Sequence, residues 1–182
     1  GTDVGSLKTR ATPNGKHYLI RGQKIYITWG EHDMAENIIH LVLARLPNAP
    51  AGIKGISLFL VPKILVNDDG TLGQPNDLKA LSIEHKVGIH ACPTCVMSYG
   101  EEKGAIGYLV GEENRGIQCM FTMMNNARLT VGLQGVSVSE RAYQQALSFC
   151  KERVQGIAPG FNEVGPIVRH PDVQRMLANM KS

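Results

Sequence analysis

Hydrophobic and polar positions divide the chain into two stretches with different repeats. Up to about residue 110, apolar residues come in short runs separated by Gly, Pro, Asn and Asp, which is the signature of strands and turns. Beyond Gly116 the repeat becomes helical. No Pro occurs between Ile117 and Glu152, and Met120, Met124, Ala127 and Val131, then Val136, Tyr143, Leu147 and Cys150, recur at helical spacing. One or two long helices are predicted, with Gly132 and Gly135 marking either an interruption or a close helix contact. After a Gly- and Pro-rich loop, His170-Pro171-Asp172 starts a further helix carrying Val173, Met176 and Leu177.

Within the first stretch, Pro13-Asn14-Gly15 predicts a hairpin turn and Arg21-Gly22-Gln23 a second reversal, which delivers a strand over residues 24–28. Alternation along that strand sends Ile25 and Ile27 into a core and sets Lys24, Tyr26 and Thr28 on the opposite surface, beside the turn that begins at Trp29. The apolar run 38–45 reads as a strand covered on both faces, and 56–61 as another, closed by Pro62. Residues 66–77 are polar and expected to be exposed, while 81–89, 94–99 and 105–110 supply further strands. The expected fold class is α+β: a small antiparallel β-barrel followed by the first helices of a helical-bundle domain.

Composition bounds the function classes. With 182 residues, 43% hydrophobic, the chain is long enough for a sizeable core, and a net charge of +3 with Lys and Arg scattered among acids gives no nucleic-acid footprint. No apolar run is long enough for a transmembrane helix and no signal-peptide pattern opens the chain, so a cytoplasmic protein is expected. The chain opens on Gly1 and ends on Ser182 inside a helical pattern, which reads as a fragment of a longer protein. Four irregularly spaced cysteines suit reduced thiols better than a disulfide framework.

Several separate segments, in this order and spacing, resemble the acyl-CoA dehydrogenase family. They are Gly1-Thr2-Asp3, Gly22-Gln23-Lys24-Ile25-Tyr26-Ile27-Thr28, Gly55-Ile56-Ser57-Leu58-Phe59-Leu60-Val61-Pro62, the stretch from Gly107 to Gly116, and Arg128 with Glu152-Arg153. The stretch His85-Lys86-Val87-Gly88-Ile89-His90 and the run Asn125-Asn126-Ala127-Arg128 are most similar to the branch that includes 3-methylmercaptopropionyl-CoA dehydrogenases. The resemblance implies a middle β-barrel domain over residues 1–114 and part of a C-terminal helical domain over 115–182, with FAD between such domains. It implies cofactor contacts from Thr2, Tyr26, Ile27 and Thr28, with Tyr26 in place of the usual Trp against the flavin and Thr28 as the hydroxyl at the reactive flavin nitrogen. Trp29 stands where Asn is common. Arg153 resembles the arginine that reaches the FAD pyrophosphate of a neighbouring subunit, and Asn125 and Arg128 sit where the family contacts acyl-CoA.

The implied activity is α,β-desaturation of an acyl-CoA thioester, with electron-transfer flavoprotein as acceptor and a homo-oligomer as the assembled form. The base that removes the α proton is not expected within these residues, because the position where one branch carries Glu is Ala127. The fragment itself is therefore expected to be inactive. The alternative is a non-catalytic binding or assembly module that keeps the scaffold without the redox chemistry.

Other motifs are weaker. Cys92-Pro93-Thr94-Cys95 has no second Cys pair and precedes a β segment, so core or strand-edge thiols are expected there rather than a zinc or redox site. His32, Asp33 and Glu36, like His85 and His90, lack ligand spacing, and no metal site is expected. The Met120, Met123 and Met124 group reads as helix core. Gly111 to Gly116 lacks the Lys-Ser or Lys-Thr of a phosphate loop, and no dinucleotide fingerprint follows a strand.

Overall fold

A computed structural model of the chain describes residues 3–182. The fold is α+β, with strands β1 (Arg10–Asn14), β2 (His17–Thr28), β3 (Ile39–Arg45), β4 (Ile56–Pro62), β5 (Ile64–Val66), β6 (Leu72–Pro75), β7 (Leu78–Ile83), β8 (Thr94–Tyr99) and β9 (Ala105–Val110), then helices α1 (Gly116–Glu152) and α2 (Pro171–Lys181). The larger sheet runs β1-β3-β4-β9-β2-β8-β7, and β1 also pairs with β2, closing a small barrel. Its pairings are antiparallel except β1 with β3. By contacts the chain parts into two compact units, one reaching Met123 and one spanning Met124–Ser182.

The core of the β unit forms where alternation brings one face of each strand together. Ile20 of β2, Phe59 and Val61 of β4, Cys95 and Met97 of β8 and Ala105 of β9 are all fully buried. Asn76 is buried with its amide satisfied four times: Nδ2 donates to Pro62 O and Ile106 O, and Oδ1 accepts from the Asp77 and Ile106 amides. The β8–β9 connection is held by Asp77, whose Oδ2 accepts the Glu102, Lys103 and Gly104 amides at 2.9, 2.7 and 2.8 Å.

Several sequence expectations are corrected. The first turn is Gly15-Lys16, because Asn14 pairs with His17 inside the ladder, and Gly15 supplies the positive φ of 64° that the reversal needs. No reversal occurs at Gly22. β2 continues through it, and Gly22 is required because a Cβ there would lie 3.0 Å from Thr9 Cα, a close backbone approach that a turn signal in sequence cannot be told from. β3 is covered on one face only: His40, Val42 and Ala44 are buried, whereas Ile39 and Leu41 are about half exposed. The polar stretch 66–77 contains half of a small hairpin, β5 with β6, joined through Asn67 and Thr71. β7 begins at Leu78 and ends at Ile83, so Val87 and Ile89 lie on an exposed connection, Ile89 with φ +54°.

Helix α1 is continuous through Gly132 and Gly135, neither of which has a neighbour within 4 Å of the Cβ position, so these glycines mark no close contact among the described residues. Its first residue does: a Cβ on Gly116 would lie 2.4 Å from the Ser57 carbonyl carbon. Ser57 Oγ in turn accepts the Asn114 amide at 2.8 Å. Met123, expected in a helix core, is exposed. In the second unit α1 ends at Glu152, and the returning segment pairs Val154 with Pro166 before α2 starts with Pro171 in its first turn. Leu177, Cys150 and Ala158 are its buried apolar side chains. Among the described residues no helix is long and apolar enough to cross a membrane.

Candidate functional site

The end of β2 carries the first group of candidate residues, and its geometry depends on a bulge. Lys24 pairs with Met97 and Ile27 with Cys95, so Ile25 and Tyr26 together stand opposite Val96 alone. The extra residue resets the alternation. Ile27 packs against the core as expected, but Lys24 is half-buried and Ile25 is 58% exposed, which reverses both of their expected faces. Tyr26 takes the strained bulge position, φ +59°, and its ring is 68% exposed. Thr28 is also exposed and pairs with Thr94 at the start of β8.

The turn beyond Thr28 is tied down from three sides. The Trp29 amide donates to Pro93 O at 2.9 Å, and Trp29 sits at φ +56°, a conformation that Asn tolerates more readily than an indole. Gly30 is buried, and a Cβ there would lie 2.9 Å from Met97 Sδ and 3.0 Å from Cys95 Cβ. Glu31 Oε1 accepts from Lys63 Nζ and from the His32 amide, anchoring the turn to the start of β5. The result is an exposed aromatic ring and a nearby hydroxyl on a short, braced strand end. Burial pushes the Lys24 amine down to about 8.

The second unit holds the other candidates. Asn125 and Arg128 lie one turn apart on α1 and meet, Arg128 Nη1 donating to Asn125 Oδ1 at 3.2 Å. Arg153 follows the last residue of α1, about 37 Å further along at the helical rise per residue. Its backbone is fixed by the Phe149 and Ile167 hydrogen bonds, and its exposed guanidinium donates to Gln155 Oε1 at 3.2 Å. Arg153 and the Asn125–Arg128 pair are therefore two separate places. Thr2 lies outside the described residues.

Residues 114–182 match the family model described as acyl-CoA dehydrogenase, C-terminal domain. Over its whole length the chain is 50% identical to 3-methylmercaptopropionyl-CoA dehydrogenase of Ruegeria pomeroyi and 44% identical to a butyryl-CoA dehydrogenase of Syntrophomonas wolfei. The chain belongs to the acyl-CoA dehydrogenase family. It spans 31% of the length of each of those two relatives. Among solved structures, butyryl-CoA dehydrogenase from Megasphaera elsdenii covers the whole chain with a TM-score of 0.73 at 27% identity, the chain covering 42% of it. Caenorhabditis elegans ACDH-11, in complex with C11-CoA, shares the fold with a TM-score of 0.77 at 24% identity, the chain covering 28% of it.

Two features of the chain escaped the sequence. The Glu31–Lys63 pair joins residues 32 positions apart with no local pattern to announce it. The Lys24 environment depends on the bulge, which is a register shift between β2 and β8.

Proposed function

We propose that the whole protein is an FAD-dependent acyl-CoA dehydrogenase that desaturates an acyl-CoA thioester between its α and β carbons. The single observation that carries this reading is the exposed, braced pair of Tyr26 and Thr28 at the β2 bulge, in a chain that is 50% identical throughout to a 3-methylmercaptopropionyl-CoA dehydrogenase. The residues present fit a flavin. Tyr26 offers an exposed ring face for stacking, Thr28 a hydroxyl donor, and the Ile27 main chain lies between them on a strand end whose turn is fixed by Gly30 and Glu31.

When bound, FAD supplies the acceptor for the hydride that leaves the β carbon. The protein's own contribution is positional. With FAD bound, Thr28 would hold a hydrogen bond to the ring and Tyr26 would stack on it, the bulge keeping both side chains from drifting with the sheet. Asn125 and Arg128 would orient the acyl-CoA, and Arg153 would pair with the FAD pyrophosphate across a homo-oligomer interface. Ala127 has no ionisable group, so the α proton is taken by a carboxylate elsewhere in the whole protein. The domain division falls at residues 114 and 115, and the electrons pass on to an electron-transfer flavoprotein.

Anaerobic titration of the intact protein with acyl-CoA thioesters tests this. Bleaching of a stoichiometric yellow flavin supports it. A protein that binds acyl-CoA but stays colourless, or whose flavin is unmoved by every thioester, is instead the non-catalytic module.

A further inference from the structure

The barrel interior holds a polar pair that the proposed function does not use. His40 of β3 is 6% exposed and Tyr99 of β8 is 2% exposed, with Tyr99 Oη 3.0 Å from His40 Nδ1 and the rings edge to face. His40 Nε2 is wholly buried and meets no protein partner among the described residues. Tyr99 of β8 contacts the imidazole, and the charges that act on it through space are those of Glu31 and His32 from the turn after β2 and of Lys63 between β4 and β5. Glu31 is the same carboxylate that binds Lys63 and ties down the turn carrying Trp29.

We propose that His40 is an acid-sensing group linking the barrel interior to the β2 turn: it is neutral, with its proton on Nε2, and taking up a second proton releases the turn. In the proposed tautomer the Tyr99 hydroxyl donates to His40 Nδ1, so Nδ1 carries the lone pair and Nε2 the hydrogen. A proton on Nδ1 would turn Tyr99 from donor to acceptor and strand its own hydrogen. The new imidazolium would also compete with Lys63 for Glu31, the anchor of the turn. This inference does not depend on the proposed activity.

Burial holds the His40 ring below its ordinary value, Glu31 opposing and Lys63 and His32 assisting. The folded group thus binds fewer protons than the unfolded one. Stability is complete above the unfolded value of about 6.5 and falls as the pH drops below it, by about tenfold in the folding constant per unit while the folded ring stays neutral.

Trp29, the sole tryptophan, reports on the turn. Because His32 lies edge-on to it at 5.7 Å, fluorescence is followed in a His32→Asn background. The expected result is a fluorescence transition below about pH 6.5 that survives His32→Asn and disappears when His40→Phe and Tyr99→Phe are added. A transition that vanishes with His32→Asn, or persists without His40 and Tyr99, overturns the proposal. Should the double replacement not fold, ring-nitrogen NMR of the unaltered chain decides: Nδ1 unprotonated at neutral pH, with His40 titrating below the ordinary imidazole value of about 6.5, supports it, whereas Nδ1 protonated at neutral pH, or titration of His40 at or above that value, overturns it.

Discussion

The two units of the chain bury apolar surface very differently. In the β unit, side chains from β2, β4, β8 and β9 meet in a closed interior with Phe59, Ile20, Met97 and Val61 fully buried. In the helical unit, Leu129, Val131, Leu133, Val136 and Val138 of α1 are all more than 60% exposed, and burial is limited to Cys150, Ala158 and Leu177. The difference teaches that a helical repeat and a closed core are separate matters. α1 has helix-forming sequence without a covered face in this chain, whereas the β unit stands on its own interior.

The largest effect should separate the units directly. Phe59→Ala should destabilise the β unit by about 3–5 kcal/mol, whereas Leu133→Ala should cost less than about 0.5 kcal/mol, both read as shifts of urea midpoints for the chain. Equal costs would mean that α1 has a covered apolar face in solution.

Two glycines of one helix sharpen the contrast. A methyl on Gly116 meets the Ser57–Leu58 backbone, which cannot move aside as a side chain can, and Gly116→Ala should cost about 1–3 kcal/mol. Gly132 has open space around it, so Gly132→Ala should stabilise the helix by about 0.5–1 kcal/mol. Thermal melts of the two variants, moving in opposite directions, would bear this out.

Asp77 gives the β unit a dependence on acid. Partial burial would raise its carboxyl, but the Gly104, Glu102 and Lys103 amides, with Arg21, bring it below the ordinary carboxylate range. A lowered folded value stabilises above the unfolded one, near about 4, and that contribution is lost as the pH falls through the folded value. Asp77→Ala should therefore cost about 1–3 kcal/mol at neutral pH and little near pH 2, measured by denaturant unfolding across that range.

Lys24 should behave in the opposite sense. With its amine pushed down to about 8, the folded chain resists the charge that the unfolded chain carries, so stability is lost as the pH falls from the ordinary lysine value through 8. Lys24→Met should stabilise the β unit by about 1 kcal/mol at pH 7, and the gain should shrink towards pH 10.

How much of this was legible in the sequence follows the range of the interactions. Apolar runs announced β4, β8 and β9, and the helical spacing announced α1 and α2, because each pattern is local. The position of Ile25 and Lys24 was missed, since the β2 bulge is a mismatch between two strands rather than a property of either. Gly22 looked like a turn because Thr9, which it makes room for, is distant in sequence. Polar anchors such as buried Asn76 and half-buried Asp77 and Glu31 were silent for the same reason. The family resemblance supplied Tyr26, Thr28, Asn125, Arg128 and Arg153 as candidates, and alternation along the strand already set the first two on the outer surface, where the structure has them exposed.

The most direct test of the account is FAD binding by the intact protein and by Tyr26→Ala with Thr28→Val, followed as quenching of flavin fluorescence. Loss of the ring and the hydroxyl should weaken FAD by about tenfold or more, equivalent to about 1.4 kcal/mol, with the fold unchanged by circular dichroism. An unaltered affinity would contradict the claim that the β2 bulge faces the flavin.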